Sequence, residues 1–342
     1  VFAPNGTLPI SNTLVYVSAN KPDPIPDGAY CDECVTLTDG TFAVSGADGT
    51  FSFDTKWATG KSWLVVQKGQ FRRSTQIQVD GAGAVKLDPK WTTLPGKGDA
   101  AHGDDVPKMV VLKDDDDFDH IYESLNKLGI TDFDIQTDRT LLENQAELMK
   151  YHVVFVPCGA QDDPHSASDT AKANMQAFVA AGGKLYVTDW SYEFVRQPFT
   201  GYVSWVGETS TLGSAASGDE WDSPATAQDQ GLSDWLTATG DANFSVTGNW
   251  TEIAGVNTMP GTDSKGNPVD VTPTVWITGT KNGHVRPTTV SFQQTCGRVL
   301  FSTYHTESGF GGNPDLLAQE KALLYVLLEV SVCIGQQGSG TH

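Results

Sequence analysis

The hydrophobic pattern changes its period once along the chain. Up to about residue 92, apolar and polar positions alternate in short runs: TLVYVS, FAVSG, FSFDT, SWLVVQKG, STQIQVDG and AVKLD. Period-two alternation puts one face of a strand inward and the other outward. Gly, Asp, Asn and Pro separate the runs, and Asp-Gly opens DGTFAV, DGTFSF and DGAGAV. The pattern predicts a small β-sandwich of about seven strands. Asp48-Gly49 reads as a hairpin turn rather than a site. The stretch TTLPGKGDAAHGDDVP (Thr92 to Pro107) has no period, so residues 93–107 read as a linker.

From Lys108 the rhythm becomes strand, helix, strand, helix. KMVVLK, TDFDIQT, HVVFVP, KLYVTDW and GRVLFSTYH read as strands, and HVVFVP is apolar throughout, as a strand buried on both faces must be. FDHIYESLNKLG, LLENQAELMKY, TAKANMQAFVAAGG and AQEKALLYVLLEV read as helices, the third closed by glycine. Alternating βα units imply a doubly wound, flavodoxin-like, mostly parallel sheet over residues 108–335. Residues of about 195–294 break the rhythm with a Gly-, Ser- and Trp-rich stretch containing LSDWLTATG, PTVWIT and TTVSFQ. They read as a large insertion over the carboxyl edge of the sheet, where such folds bind ligands. Residues 336–342 read as a flexible tail.

Charge narrows the partners. With 42 acidic against 22 basic residues the formal net charge is −20, and the only basic cluster is Phe71-Arg72-Arg73. Nucleic acid needs basic residues to displace condensed counterions, so it is excluded as a partner. No stretch reaches the roughly 18 apolar residues of a membrane span. The chain starts at Val1 without Met, which fits an export segment removed ahead of it.

Five cysteines bear on compartment. Cys31 and Cys34 form a CxxC in a Pro-rich loop, open to a redox pair, half a zinc site or a loop disulfide. The loop context favours the disulfide. Cys296 precedes a strand and Cys333 ends the last helix, so Cys296–Cys333 is the expected second bridge, leaving Cys158 free. Two bridges and an acidic surface predict an extracytoplasmic protein, secreted or attached to the outer surface.

Several of these segments carry a resemblance. PNG, PISNTLVYV, DGTFSF and SWLVVQKGQFRR resemble the carboxypeptidase regulatory-like, or transthyretin-like, module. YHVVFVPCGA, FVAAGGKLYVTD and VLFSTYHTES resemble the class I glutamine amidotransferase-like fold in its ThuA-like branch. The order CDxC, Leu-Pro linker, CGRVxFSxxH and QEKAL is similar to that of secreted two-domain bacterial proteins combining both. The resemblance implies that His305 and Glu307 are a general base and its orienter, and that Thr188-Asp189-Trp190-Ser191-Tyr192 is the nucleophile elbow. The elbow lacks the cysteine that attacks a carboxamide, and Trp190, at the expected nucleophile position, cannot attack anything.

Three functions compete. The first is a secreted or surface binding or structural protein, with self-assembly open and a degenerate amidotransferase-like domain. The second is a hydrolase using Ser191 or Cys158 with His305 and Glu307; otherwise Ser191 caps a helix. The third is a cation-dependent glycan-binding module. For it, Asp114, Asp115, Asp116 and Asp117, with Asp119 and His120, follow the first parallel strand, and Asp162, Asp163, His165 and Asp189 face the same edge. Oxygen donors in that number suit calcium, although acidic residues at a helix start also favour its dipole. Trp190, Trp205, Trp221, Trp235, Trp250 and Trp276 supply either stacking surfaces for sugars or core.

Overall fold

The computed structural model describes the chain except residues 33–34, 38–41, 56–59, 81–82, 117, 308–314, 329–333 and 336–342. Strands β1 (Leu14–Ser18), β2 (Phe42–Val44), β3 (Gly60–Lys68), β4 (Phe71–Val79) and β5 (Asp104–Asp105) form one antiparallel sheet, in order β2-β1-β3-β4-β5. The fifth strand comes from the expected linker. Arg73 holds Asp104 with two hydrogen bonds of 2.7 and 2.8 Å, and Arg72 pairs with Asp105 at 2.7 Å. The basic cluster of the sequence is thus neutralised within the fold.

Among the described residues these strands make one sheet rather than the two layers of the expected sandwich, for a packing reason, and Val35–Thr36 pairs instead with Ile334–Gly335. One face of β1 and β3 carries Val15, Val17, Leu64 and Val66, which join a core containing residues of the C-terminal helix. The other face, with Leu14, Tyr16 and Val65, is covered locally by Val35, Leu37, Phe42 and Trp63. Val1, Ala3, Leu8, Ile10 and Leu94 belong to the same core, so it draws on both ends of the chain, and alternation within the first 92 residues could not reveal the distant part.

The second sheet has nine strands: β6 (Met109–Leu112), β7 (Phe133–Gln136), β8 (Val153–Val156), β9 (Lys184–Thr188), β10 (Ala216–Ala227), β11 (Phe244–Thr251), β12 (Thr274–Lys281), β13 (His284–Gln294) and β14 (Gly297–Ser302). Their order is β11-β10-β12-β13-β14-β9-β8-β6-β7. The block β14-β9-β8-β6-β7 is parallel, and the remaining pairs are antiparallel. The inserted segment therefore extends the sheet as well as covering its edge.

Helices lie on both faces of the parallel block. α1 (Ile121–Lys127) and α4 (Ala318–Leu328) share a core with Met109, Val111, Val153, Phe155 and Tyr186. On the other face Val110, Val154, Leu185 and Val187 pack with Met175 and Phe178 of α2 (Asp169–Ala180). Successive strand residues point to opposite faces, so a continuous apolar run serves both layers. α3 (Gln230–Ala238) belongs to the insertion. The expected helix LLENQAELMKY breaks at Asn144 into a 3-10 turn, Thr140–Glu143, and a short helix, Gln145–Leu148, because the Asn144 side chain caps the second piece at Glu147 N.

The disulfide expectation is corrected. Cys31 bonds Cys296, 265 residues away in sequence. The Pro-rich loop does not turn back on itself. It runs along the amino edge of the parallel sheet, where Pro26 O meets His152 Nε2 at 2.8 Å and Ala29 N donates to Met149 O at 3.0 Å. That path delivers Cys31 to the turn between β13 and β14. Cys34 and Cys333, the other expected partners, lie outside the described residues, as do Asp117 and the tail. Among the described residues, no helix is long and apolar enough to cross a membrane.

Candidate functional site

Parallel strands bring their carboxyl ends to one edge. Thr188 of β9 is in register with Ser302 of β14, and Val187 of β9 with Val156 of β8. The residues just beyond these ends, Cys158, Asp189 and His305, therefore converge. Asp119, in the connection from β6 to α1, joins them by accepting hydrogen bonds from Thr188 Oγ1 (2.7 Å) and Thr306 N (2.9 Å).

The sharp turn lies one position earlier than the sequence implied. Asp189, not Trp190, has the left-handed backbone, with φ of 44°. It leads directly from β9 into the 3-10 turn Asp189–Tyr192. Asp tolerates that region better than bulky residues do. The Asp189 carboxylate is fully buried. It accepts hydrogen bonds from Trp250 N at 3.0 Å and Thr251 Oγ1 at 2.9 Å, both on β11, so the insertion is bolted onto the elbow. Burial pushes its acid up to about 6, against the opposing pull of His305, Thr251 and Trp250.

His305 is 8% exposed. Its Nε2 lies 3.3 Å from Asp189 Oδ2 but makes no aligned hydrogen bond among the described residues. Burial lowers the basicity of the imidazole, yet Asp189, Asp119 and Glu307 together outweigh burial and raise it. Glu307, fully buried, lies 3.4 Å from His120 Nδ1. Cys158 Sγ is 4.0 Å from Asp189 Oδ2. Burial, then the Asp189 charge, push its thiol well up, which keeps it protonated at neutral pH.

Ser191 stands in a different network. Its hydroxyl donates to Pro157 O at 2.6 Å and accepts from Arg139 Nη2 at 3.1 Å, and it caps no helix. Arg139, which nothing in the sequence pattern marked, is the buried hub there. It pairs with Asp163 at 2.9 Å, approaches Asp114 at 3.7 Å and binds Pro157 O at 2.8 Å. Gly159 permits this closeness, since a Cβ there would lie 2.7 Å from both Arg139 Nη2 and Asp114 Oδ2.

Among the described residues of the acidic run, Asp114, Asp115 and Asp116 form no ligand group with Asp189. Asp114 is held by Arg139 and by Ala160 N at 2.8 Å, while Asp115 and Asp116 are exposed. Asp163 caps a short helix, and His165 pairs with Glu143 at 3.1 Å. Among the described residues, two groups could each share an ion: Cys158 with Asp189 and His305, and His120 with Glu123 and Glu307. Of the tryptophans, Trp205, Trp221, Trp235 and Trp276 are buried. Trp190 and Trp250 are half-buried, with ring centroids 5.4 Å apart, and exposed Phe118 stacks edge-on to Trp190 at 5.8 Å.

Fold and site together define a mixed α/β protein with a large mixed sheet, separate antiparallel sheets and a strained, buried aspartate at the carboxyl edge. No family model matches the chain, and no curated protein does. Among solved structures it is similar to a ThuA-like protein from Bacteroides uniformis, at 12% identity and a TM-score of 0.41, over 64% of this chain and 89% of that one. It is also similar to a cytoplasmic protein from Salmonella typhimurium, at 11% and 0.41, over 65% and 98%. A cold-adapted β-galactosidase from Rahnella sp. R3 matches at 13% and 0.40, over 67% of this chain and 32% of that one.

Proposed function

We propose that this chain is an extracytoplasmic binding or structural protein whose flavodoxin-like, amidotransferase-like domain has lost its chemistry. One observation carries the reading: the elbow residue is Asp189, fully buried and occupied by Trp250 and Thr251 of the insertion. A nucleophile must meet its substrate, and this carboxylate is shielded from any. The two alternative nucleophiles do no better. Cys158 is a buried, protonated thiol, and the Ser191 hydroxyl is engaged by Pro157 and Arg139. The disulfide between Cys31 and Cys296 supports an oxidising compartment. The test is a broad esterase, amidase and glycosidase screen on wild type and His305→Ala. The expected result is no turnover that depends on His305; turnover abolished by the substitution would refute the proposal.

A glycan-binding version of this role is favoured by the aromatic patch of Phe118, Trp190 and Trp250 above the elbow. Half-buried aromatic rings offer flat apolar faces of the kind sugars stack on. Titrating oligosaccharides against tryptophan fluorescence should give saturable changes that Trp250→Ala removes. A flat response across the panel rejects this version.

A further inference from the structure

The elbow cluster holds a donor set that a catalytic relay does not require. We propose that Cys158, Asp189 and His305 bind a zinc-type transition-metal dication that ties together the ends of β8, β9 and β14. This rests on the reading that the elbow no longer performs acyl chemistry, and gives the degenerate site a new occupant.

Geometry is the first support. One donor atom from each of the three side chains lies within 4.8 Å of the other two. Cys158 Sγ is 4.0 Å from Asp189 Oδ2, and His305 Nε2 is 3.3 Å from the same oxygen. Tetrahedral zinc, with bonds of about 2.3 Å to sulfur and about 2.1 Å to nitrogen and oxygen, spaces such donors at about 3.6 and about 3.4 Å. The first pair closes slightly and the second already fits, while the sulfur and the imidazole nitrogen, within 4.8 Å of each other, draw together around the metal.

Hydrogen bonding is the second. His305 Nε2 is buried and makes no aligned hydrogen bond among the described residues, although a carboxylate oxygen is 3.3 Å away. A shared third atom between two such groups would leave them close and misaligned. Buried polar atoms normally find a partner, and a metal ion would be that partner.

Charge is the third. Asp119, Asp189 and Glu307 are all fully buried. Beside them stand the imidazoles of His305, 3.3 Å from Asp189, and of His120, 3.4 Å from Glu307. Buried carboxylates need compensating positive charge, and a dication supplies it. The thiol selects the metal. Calcium and magnesium take oxygen donors, whereas thiolate with imidazole suits zinc or cobalt. On binding, the metal replaces the proton on Sγ and any proton on Nε2. Each proton so displaced leaves to solvent, and no electron is transferred.

The test uses cobalt as a visible substitute for zinc. Full-length protein produced in cobalt-supplemented medium and desalted should retain one equivalent per chain. It should also show near-ultraviolet thiolate-to-cobalt charge-transfer absorption. Cys158→Ser and His305→Ala, checked for folding by circular dichroism, should lose both the band and the metal. Wild type alone can overturn the proposal, by retaining no cobalt and showing no band. Persistence of the band in Cys158→Ser overturns it too, by assigning the metal to another cysteine. Loss of the metal site leaves the non-enzymatic reading standing. Conversely, His305-dependent turnover by a metal-retaining protein would refute that reading while supporting the site.

Discussion

Glu320 and Asp189 are both fully buried carboxylates, and their surroundings differ. Glu320, at the start of α4, accepts from Ser124 Oγ at 2.6 Å, Lys127 Nζ at 2.9 Å and Leu317 N at 2.7 Å. A cation and two neutral donors saturate it and clamp α4 onto α1. Asp189 has its neutral donors, but its cationic neighbour is a misaligned imidazole, and Asp119 shares that same imidazole. A carboxylate kept for architecture is surrounded by enough donors. One left at the carboxyl edge of the parallel strands carries charge that its neighbours only partly balance. Perturbed acids cluster at functional sites for this reason.

The largest expected effect breaks the balanced side of the comparison. Glu320→Ala strands Lys127, whose side chain is 14% exposed, and empties part of the interface between α1 and α4. Removing one partner of a buried pair costs about 3–5 kcal/mol, which urea unfolding would measure. A cost below about 1 kcal/mol, typical of surface pairs, would mean that Glu320 is no clamp.

The next effect has the opposite sign and depends on pH. In metal-free protein, Asp189 titrates at about 6 because of burial, against about 3.9 when unfolded. Between these values the folded state holds a proton that the unfolded state has released, so stability falls as pH rises through this window. His305 acts in the same direction. Its raised basicity gives stability that is present below its unfolded value and lost as pH rises through the folded one. Asp189→Asn removes the first contribution and weakens the second. Going from pH 4 to pH 8, the variant should gain on wild type by on the order of 2–3 kcal/mol. Melts at several pH values in chelator would show it. Parallel pH profiles for the two proteins would show that Asp189 is as well balanced as Glu320.

The contrast between these two sites was only partly legible in the sequence. The parallel strands were, because an apolar run with no alternation has few other readings, and their ends located Cys158, Asp189 and His305. The position of the elbow was not. Hydrophobic period says where a strand stops, and not which residue then takes a left-handed backbone, so Trp190 stood in for Asp189. Arg139 gave no signal, since one basic residue among acidic loops looks like any surface cation until the fold buries it. The partner of Cys31 was hidden because local spacing favours Cys34, and the route to Cys296 depends on a loop laid along a sheet not yet formed. Part of the core behind the N-terminal sheet was hidden for the same reason: residues of α4, at the far end of the chain, belong to it.

The smallest expected effect tests the thiol. Cys158 Sγ touches the unbalanced cluster, yet as a protonated thiol it contributes packing rather than charge. In metal-free protein Cys158→Ala should therefore cost about 1 kcal/mol, the scale of a small deletion in a core, with little dependence on pH. Its backbone N–H keeps its bond to Thr188 Oγ1 at 2.9 Å whatever the side chain, so the local frame survives the change. A thiolate paired with protonated His305 would behave otherwise. Its loss would leave a buried imidazolium with one anion fewer, at a cost of several kcal/mol that vanishes in acid as the thiolate is protonated. That result would put a reactive sulfur beside a base at the carboxyl edge, and would replace the proposed degenerate elbow with a displaced catalytic pair.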